Sequence, residues 1–206
     1  MKFRRVAYVA ISLLLGVMIL VVSMARAGLE IMAAEENGES LRNDPIKFVL
    51  IGEDGEKNEY LYKLPEPGLL PTNPFYGFKK IRDILWIKFS GDGAKRAKVE
   101  LLVADKRMSE AKMLLEDNKG DSGLKTSQEA LDTLKSAEGS ISGVSKETEE
   151  SKQISSQIFR AGFAYMTILK DSENSFEMDV EKYNQLIKEL DEWNQEQKTR
   201  EEESSE

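Results

Sequence analysis

Between Ala94 and Leu115 apolar residues recur at alternating steps of three and four: Ala94, Ala97, Leu101, Ala104, Met108, Ala111 and Leu115. That spacing is a heptad seam on one side of an α-helix. Alanine at one seam position (Ala97, Ala104, Ala111) lets a partner helix approach closely. A second seam follows at once on Ser127, Ala130, Leu134, Ala137, Ile141 and Val144, widened by Leu124 and Leu131. Between the two lie the turn formers Asn118-Lys-Gly-Asp-Ser-Gly123. Two adjoining seams with so short a connection predict an antiparallel helical hairpin over about 94–144. Gly139 and Gly143 weaken its second arm by about 1 kcal/mol each relative to alanine.

Helical periodicity continues downstream. Ile154, Ile158, Ala161, Tyr165 and Ile168 share a face, extended by Phe159, Phe163 and Met166. Phe176, Val180, Tyr183, Ile187 and Leu190 make a last stripe, with Leu186 and Trp193 beside it. Asn174 followed by Glu177 reads as its capping box. From Glu196 to Glu206 periodicity gives way to charge, which predicts a frayed acidic tail. Upstream, the strand-like runs Ile46–Ile51 and Glu59–Leu64 flank Gly52-Glu-Asp-Gly55 and predict a β-hairpin. The expected class is mainly α: a small hairpin, a proline strap and a bundle of about five helices over 46–195.

The N-terminus belongs to another regime. Lys2, Arg4 and Arg5 precede Val6–Ala25, a run without a charge, and Arg26, Glu30, Glu35 and Glu36 follow it. Twenty helical residues rise about 30 Å, the thickness of a bilayer core. The basic flank predicts a cytoplasmic N-terminus with the domain outside. Ala25-Arg26-Ala27 also fits a small-x-small cleavage site with Gly28 as the new start. Residues 1–27 are thus a signal anchor or a signal peptide, and the protein is single-pass or secreted. Residues 28–45 are a polar tether.

Leu64-Pro-Glu-Pro-Gly-Leu-Leu-Pro71 cannot be helical, because its prolines fix φ, remove amide donors and hold their predecessors extended. This stiff strap leads to Thr72-Asn73-Pro74, where Asn73 can cap a helix and Pro74 suits its first position. The helix Phe75–Phe89 is apolar in nearly every direction, with Lys79, Lys80, Arg82 and Lys88 added. Such a helix is either the domain's central one, the favoured reading, or lies on a bilayer with its aromatics down. The candidate partner or membrane contacts are Phe75, Phe78, Lys79, Lys80, Arg82 and Trp86. The aromatic side chains around the strap, Tyr60, Tyr62, Phe75, Tyr76, Phe78 and Trp86, are expected to form the core beneath it; the alternative is that they grip a glycan or partner peptide.

The run Tyr62-Lys-Leu-Pro-Glu-Pro-Gly-Leu-Leu-Pro-Thr-Asn-Pro-Phe-Tyr-Gly-Phe-Lys-Lys-Ile-Arg-Asp83, followed by Ala104-Asp-Lys-Arg-Met-Ser-Glu-Ala-Lys112, resembles an uncharacterised prokaryotic extracytoplasmic family, a domain of unknown function. Its members carry a Leu-Pro-x-Pro-Gly-x-Leu-Pro-x-x-Pro-x-Tyr strap before an Ala- and Arg-rich helical region. The resemblance spans Tyr60–Glu116; it implies export and helical architecture and brings no catalytic residues. The hairpin region, the glycine-interrupted second arm and the helices after Val144 are not part of it.

The chain has no cysteine and no histidine. Disulfides, thiolate nucleophiles, imidazole bases and the usual zinc ligands are therefore excluded, and His-dependent triads with them. Ser109-Glu-Ala-Lys112 and Ser122-Gly-Leu-Lys125 spell Ser-x-x-Lys without the supporting motifs of serine acylases, and Ser109 is expected on an outer helix flank. Asp117–Asp121 resembles a calcium loop only superficially, since Lys119 and Gln128 replace ligands. No cofactor or metal is expected. A net charge of -8 argues against nucleic acid. The charge is polarised: Phe75–Lys112 holds ten Lys/Arg against five Asp/Glu, and Asp171–Glu206 four against thirteen. The expected function is a non-catalytic binding or scaffolding module at the cell envelope, engaging an envelope protein or polymer. The alternatives are a bilayer-surface adaptor docking through Phe75–Phe89, and a carboxylate-based envelope hydrolase.

Overall fold

The alanine seams close on each other. The computed structural model of the protein describes residues 44–51, 55–143, 148–173 and 179–203, with the isolated positions Gly16, Met18, Ile19 and Val22; side chains are described as far as Arg200. Helix α2 (Ala94–Glu116) runs out and α3 (Gly120–Ser142) runs back, joined by Asp117–Lys119. Every α2 seam residue from Ala97 to Leu115 is buried, as are Ser127, Ala130, Leu134, Ala137 and Ile141 opposite. Val144 lies outside the described residues.

The turn is tighter than the sequence suggests, because Gly120–Gly123 is already helical. A Cβ on Gly123 would stand 2.4 Å from a Leu115 methyl, so the bare glycine lets the arms meet at once. Asn118 takes the left-handed conformation, φ 59°, that reverses the chain.

Helices α4 (Glu149–Ser172) and α5 (Val180–Glu203) pack across this hairpin and complete a four-helix core. Thr148 caps α4, its Oγ1 accepting the Ser151 amide at 3.2 Å. Asp179 caps α5 by accepting the amides of Glu181 and Lys182. The box expected at Asn174 and Glu177 lies outside the described residues. Where fraying was expected after residue 195, α5 continues to Glu203. Its last turns are tied down by Arg200 to Glu138 and by Lys198 Nζ to the Ile51 carbonyl. Gly162 sets the α4–α5 crossing: a Cβ there would lie 2.4 Å from the Trp193 ring and 2.2 Å from Asn194 Oδ1.

The hairpin forms from β1 (Ile46–Ile51) and β2 (Lys57–Tyr62), two residues earlier on its second strand than the sequence indicates. The register is antiparallel, Ile46 opposite Tyr62 and Phe48 opposite Tyr60. Phe48 and Tyr62 enter the core. The Phe48 ring stacks between Tyr60, 5.6 Å away, and Phe163 of α4, 6.2 Å away. Packing on α4 supplies the support that an isolated hairpin lacks.

The helix α1 (Tyr76–Phe89) is not central: among the described elements its backbone packs on α2 alone, and the Lys80 side chain reaches across to α3. The central helix is α2, which meets α1, α3 and α4 and is buried on several sides. Ser109, expected on an outer flank, is 2% exposed. All-round apolarity pointed to the wrong helix, because α2 buries its charges in pairs rather than doing without them.

Three acids of α2 carry those pairings. Glu100 accepts Ser136 Oγ at 2.9 Å, Ser140 Oγ at 2.7 Å and Arg96 Nε at 3.0 Å, riveting the outer ends of the α2–α3 hairpin. Asp105 accepts Tyr62 Oη at 2.9 Å and Tyr165 Oη at 2.8 Å, joining β2 and α4 to α2. Burial pushes the Asp105 carboxyl up to about 7 against the opposing effect of those two hydrogen bonds. Burial beside Asp105 also raises both tyrosines well above their ordinary range. The third acid, Glu110, holds α1.

Candidate functional site

At 100° per residue, Tyr76, Lys79 and Asp83 fall within an arc of about 60° on α1, and Ile84, Ile81, Leu85, Phe78 and Phe89 within an opposite arc of about 140°. The helix is docked with the first arc inward. Tyr76, Lys79 and Asp83 are buried, whereas Phe75, Phe78, Ile81, Ile84 and Phe89 are 52–71% exposed. The ordinary arrangement of an amphipathic helix on a soluble domain is thus inverted.

The strap and α2 impose this orientation. Leu64 is buried at the start of the strap and fixes its path. Gly68 then passes 3.5 Å, measured from an added Cβ, from both Glu110 Oε1 and Lys79 Cε, so the strap lies over that ion pair. Asn73 Oδ1 accepts the Phe75 amide at 2.9 Å in a turn that leads into α1, but the cap position falls to Phe75, without a side-chain cap, and the helix starts at Tyr76 rather than at Pro74 as the sequence indicates. Lys79 Nζ donates to Glu110 Oε1 and Tyr76 Oη to Glu110 Oε2 at 3.3 Å. Burial raises the Glu110 carboxyl, with Lys79 drawing it back down. Lys80 Nζ reaches Glu129 of α3 at 2.7 Å, and both lysine heads lie over the Tyr76 ring, at 5.2 and 5.6 Å. Rotating α1 to hide its apolar arc would strand a buried charge, which costs about 3–5 kcal/mol.

The residues singled out from sequence therefore divide. Phe75 and Phe78 are outward, their rings 6.4 Å apart. Lys80 and Arg82 are half-buried and paired, Arg82 Nη2 with Asp83 Oδ1 at 2.7 Å. Trp86 is half-buried, and Lys79, 7% exposed, is no surface contact at all. Ala27 and Gly28 lie outside the described residues. Sequence reasoning missed that Ile81, Ile84 and Phe89 form the outward patch. Separating the charged arc of the wheel from the apolar one would have found them.

A second feature is a cleft of about 640 Å³ where β1 meets the C-terminal ends of α2 and α4, lined by Asp44, Lys47, Lys112, Glu116, Thr167 and Asp171 among others. Glu116 there faces Lys112 at 3.6 Å and is largely exposed. The carboxyls with raised pKa, Asp105 and Glu110, are sealed among aromatic and lysine side chains and do not line it. A general acid needs both a shifted pKa and access to substrate, and the two are separated here. Among the described residues no group of three or more metal-binding side chains is arranged to hold an ion, and no helix is long and apolar enough to cross a membrane.

Fold and site define an α-helical hairpin domain that carries an inside-out helix under a proline strap. Residues 68–160, from the middle of the strap into α4, match the model of a Domain of unknown function (DUF5667). The match begins later than the resemblance seen in the sequence and reaches further, taking in the glycine-interrupted arm α3 and the first half of α4. No curated protein and no solved structure matches the chain.

Proposed function

We propose that the protein is a non-catalytic docking module held at the cell envelope, in which a rigid helical bundle presents the outward face of α1 to a second body. One observation carries this reading: a helix locked with Tyr76, Lys79 and Asp83 buried and Phe78, Ile81, Ile84 and Phe89 in water. Burying a large apolar side chain contributes roughly 1.5–3 kcal/mol, and four such side chains on α1, with Phe75 just before it, forgo much of that in the isolated chain. A contiguous apolar patch of this kind marks an interaction surface. The envelope location rests on the uncharged run Val6–Ala25 behind its basic flank. Its described positions, Gly16, Met18, Ile19 and Val22, are helical and exposed, so none is packed on the bundle.

The chain lacks cysteine, so single-cysteine variants of the full protein report cleanly. Ile84→Cys lies on the α1 face, and Lys188→Cys lies on α5, which does not touch α1. In sonicated native membranes a water-soluble maleimide should label the Lys188 variant at least about tenfold faster than the Ile84 variant. Equal rates would mean that the α1 face stands in water and docks on nothing.

A further inference from the structure

We infer that the body met by α1 is the surface of a lipid bilayer, with α1 lying in the headgroup region and its apolar arc directed at the acyl chains; this rests on the docking reading above. The shape of the face points there. It is the outward side of a single helix, a strip of side chains along one axis. The side chains across its arc are hydrocarbon apart from Lys88, whose long stem lets its ammonium rise to the headgroups.

Charge points the same way. The only acid of α1, Asp83, is turned inward, while Lys88 and Lys95 are exposed at the end of the helix and the start of α2. Residues 75–95 hold five Lys/Arg against two acids, inward Asp83 and exposed Asp92, and the Asp171–Glu206 stretch has an excess of nine negative charges. Helix α5, which carries most of that acidic stretch, packs on α3 and α4 and not on α1. An anionic surface would therefore attract the α1 side and repel the α5 side, orienting the bundle as well as holding it.

Reach is sufficient. Residues 26–45 connect the uncharged run to β1 and span up to roughly 65 Å when extended. An interfacial helix sinks only about 5–10 Å, so the bundle needs no rearrangement to lie down.

The test uses the full chain in vesicles of phosphatidylcholine and phosphatidylglycerol. A bimane probe is placed at Ile84→Cys or, as control, at Lys188→Cys. Spin-labelled lipid should quench the Ile84 probe by about twofold or more and leave the Lys188 probe unaffected, while aqueous iodide should do the reverse. An Ile84 probe blind to the spin-labelled lipid overturns the bilayer inference. If that probe is then shielded from iodide in native membranes but open to it in the vesicles, a protein covers α1 and the docking reading survives. If iodide reaches it in both, docking fails as well.

Discussion

Asp105→Asn removes a titration that the core imposes on folding. In the folded protein the Asp105 carboxyl titrates near 7, raised by burial, and in the unfolded chain near its ordinary 3.8. Between those values the unfolded chain has lost the proton and the folded one keeps it. The contribution of Asp105 to stability is therefore greatest below about pH 4, falls by about 1.4 kcal/mol per pH unit, and levels off above 7. The shift of about three units corresponds to roughly 4 kcal/mol in all, or about 8–16 °C in Tm for a chain of this length. Thermal melts of the full chain in non-ionic detergent, followed by far-UV circular dichroism from pH 4 to 8.5, measure it. The slope that disappears in the asparagine variant is the share due to Asp105. Absolute stability is not the readout, because the amide reshapes the hydrogen bonds to Tyr62 and Tyr165. Tyr165→Phe works the other way: it removes a donor that favours the carboxylate and should extend the declining limb to higher pH. A variant whose Tm follows the parent's slope between pH 5 and 7 would refute the placement of Asp105 in this sealed clamp.

Three other substitutions probe the framework. Glu110→Ala leaves Lys79 buried without its counter-charge and should lower stability by about 3–5 kcal/mol in the same melts; the double change Lys79→Met with Glu110→Met should recover most of the loss. Gly162→Ala drives a methyl into Trp193 and Asn194 and should cost about 1–3 kcal/mol, with a changed near-ultraviolet dichroism from the displaced indole. Ser136→Ala should cost about 1–3 kcal/mol by leaving buried Glu100 short of a donor, loosening the outer end of the α2–α3 hairpin as seen by amide hydrogen exchange.

The two alanine seams were readable because heptad spacing states both the helix and the face it buries. The hairpin and the strap were readable for a similar reason: each rests on local backbone chemistry. The orientation of α1 was not. Its hydrophobic residues circle the axis, and only the pairing of Lys79 with Glu110, thirty-one positions away, decides which side faces in. The buried acids were hidden for the same reason. Glu100, Asp105 and Glu110 each sit beside a seam residue, where a charge is ordinarily taken as solvated, and the serines, tyrosines and lysine that receive them come from α3, β2, α4 and α1. The outer turns of α5 were undervalued because Lys198 and Arg200 find partners on β1 and α3 that no periodicity announces.

The most direct test of the inverted helix combines stability and burial in one double variant, Ile81→Glu with Ile84→Glu, carrying a reporter cysteine at Phe78. Both isoleucines are more than half exposed, so the melting temperature of the full chain should stay within the range of ordinary surface changes, about 0.5 kcal/mol. In native membranes the Phe78 cysteine, slow to react with maleimide in the parent, should react as fast as one placed at Lys188. A large loss of stability would show that α1 packs its apolar arc inward, and a Phe78 cysteine still protected in the double variant would show that whatever covers it is not held by this arc.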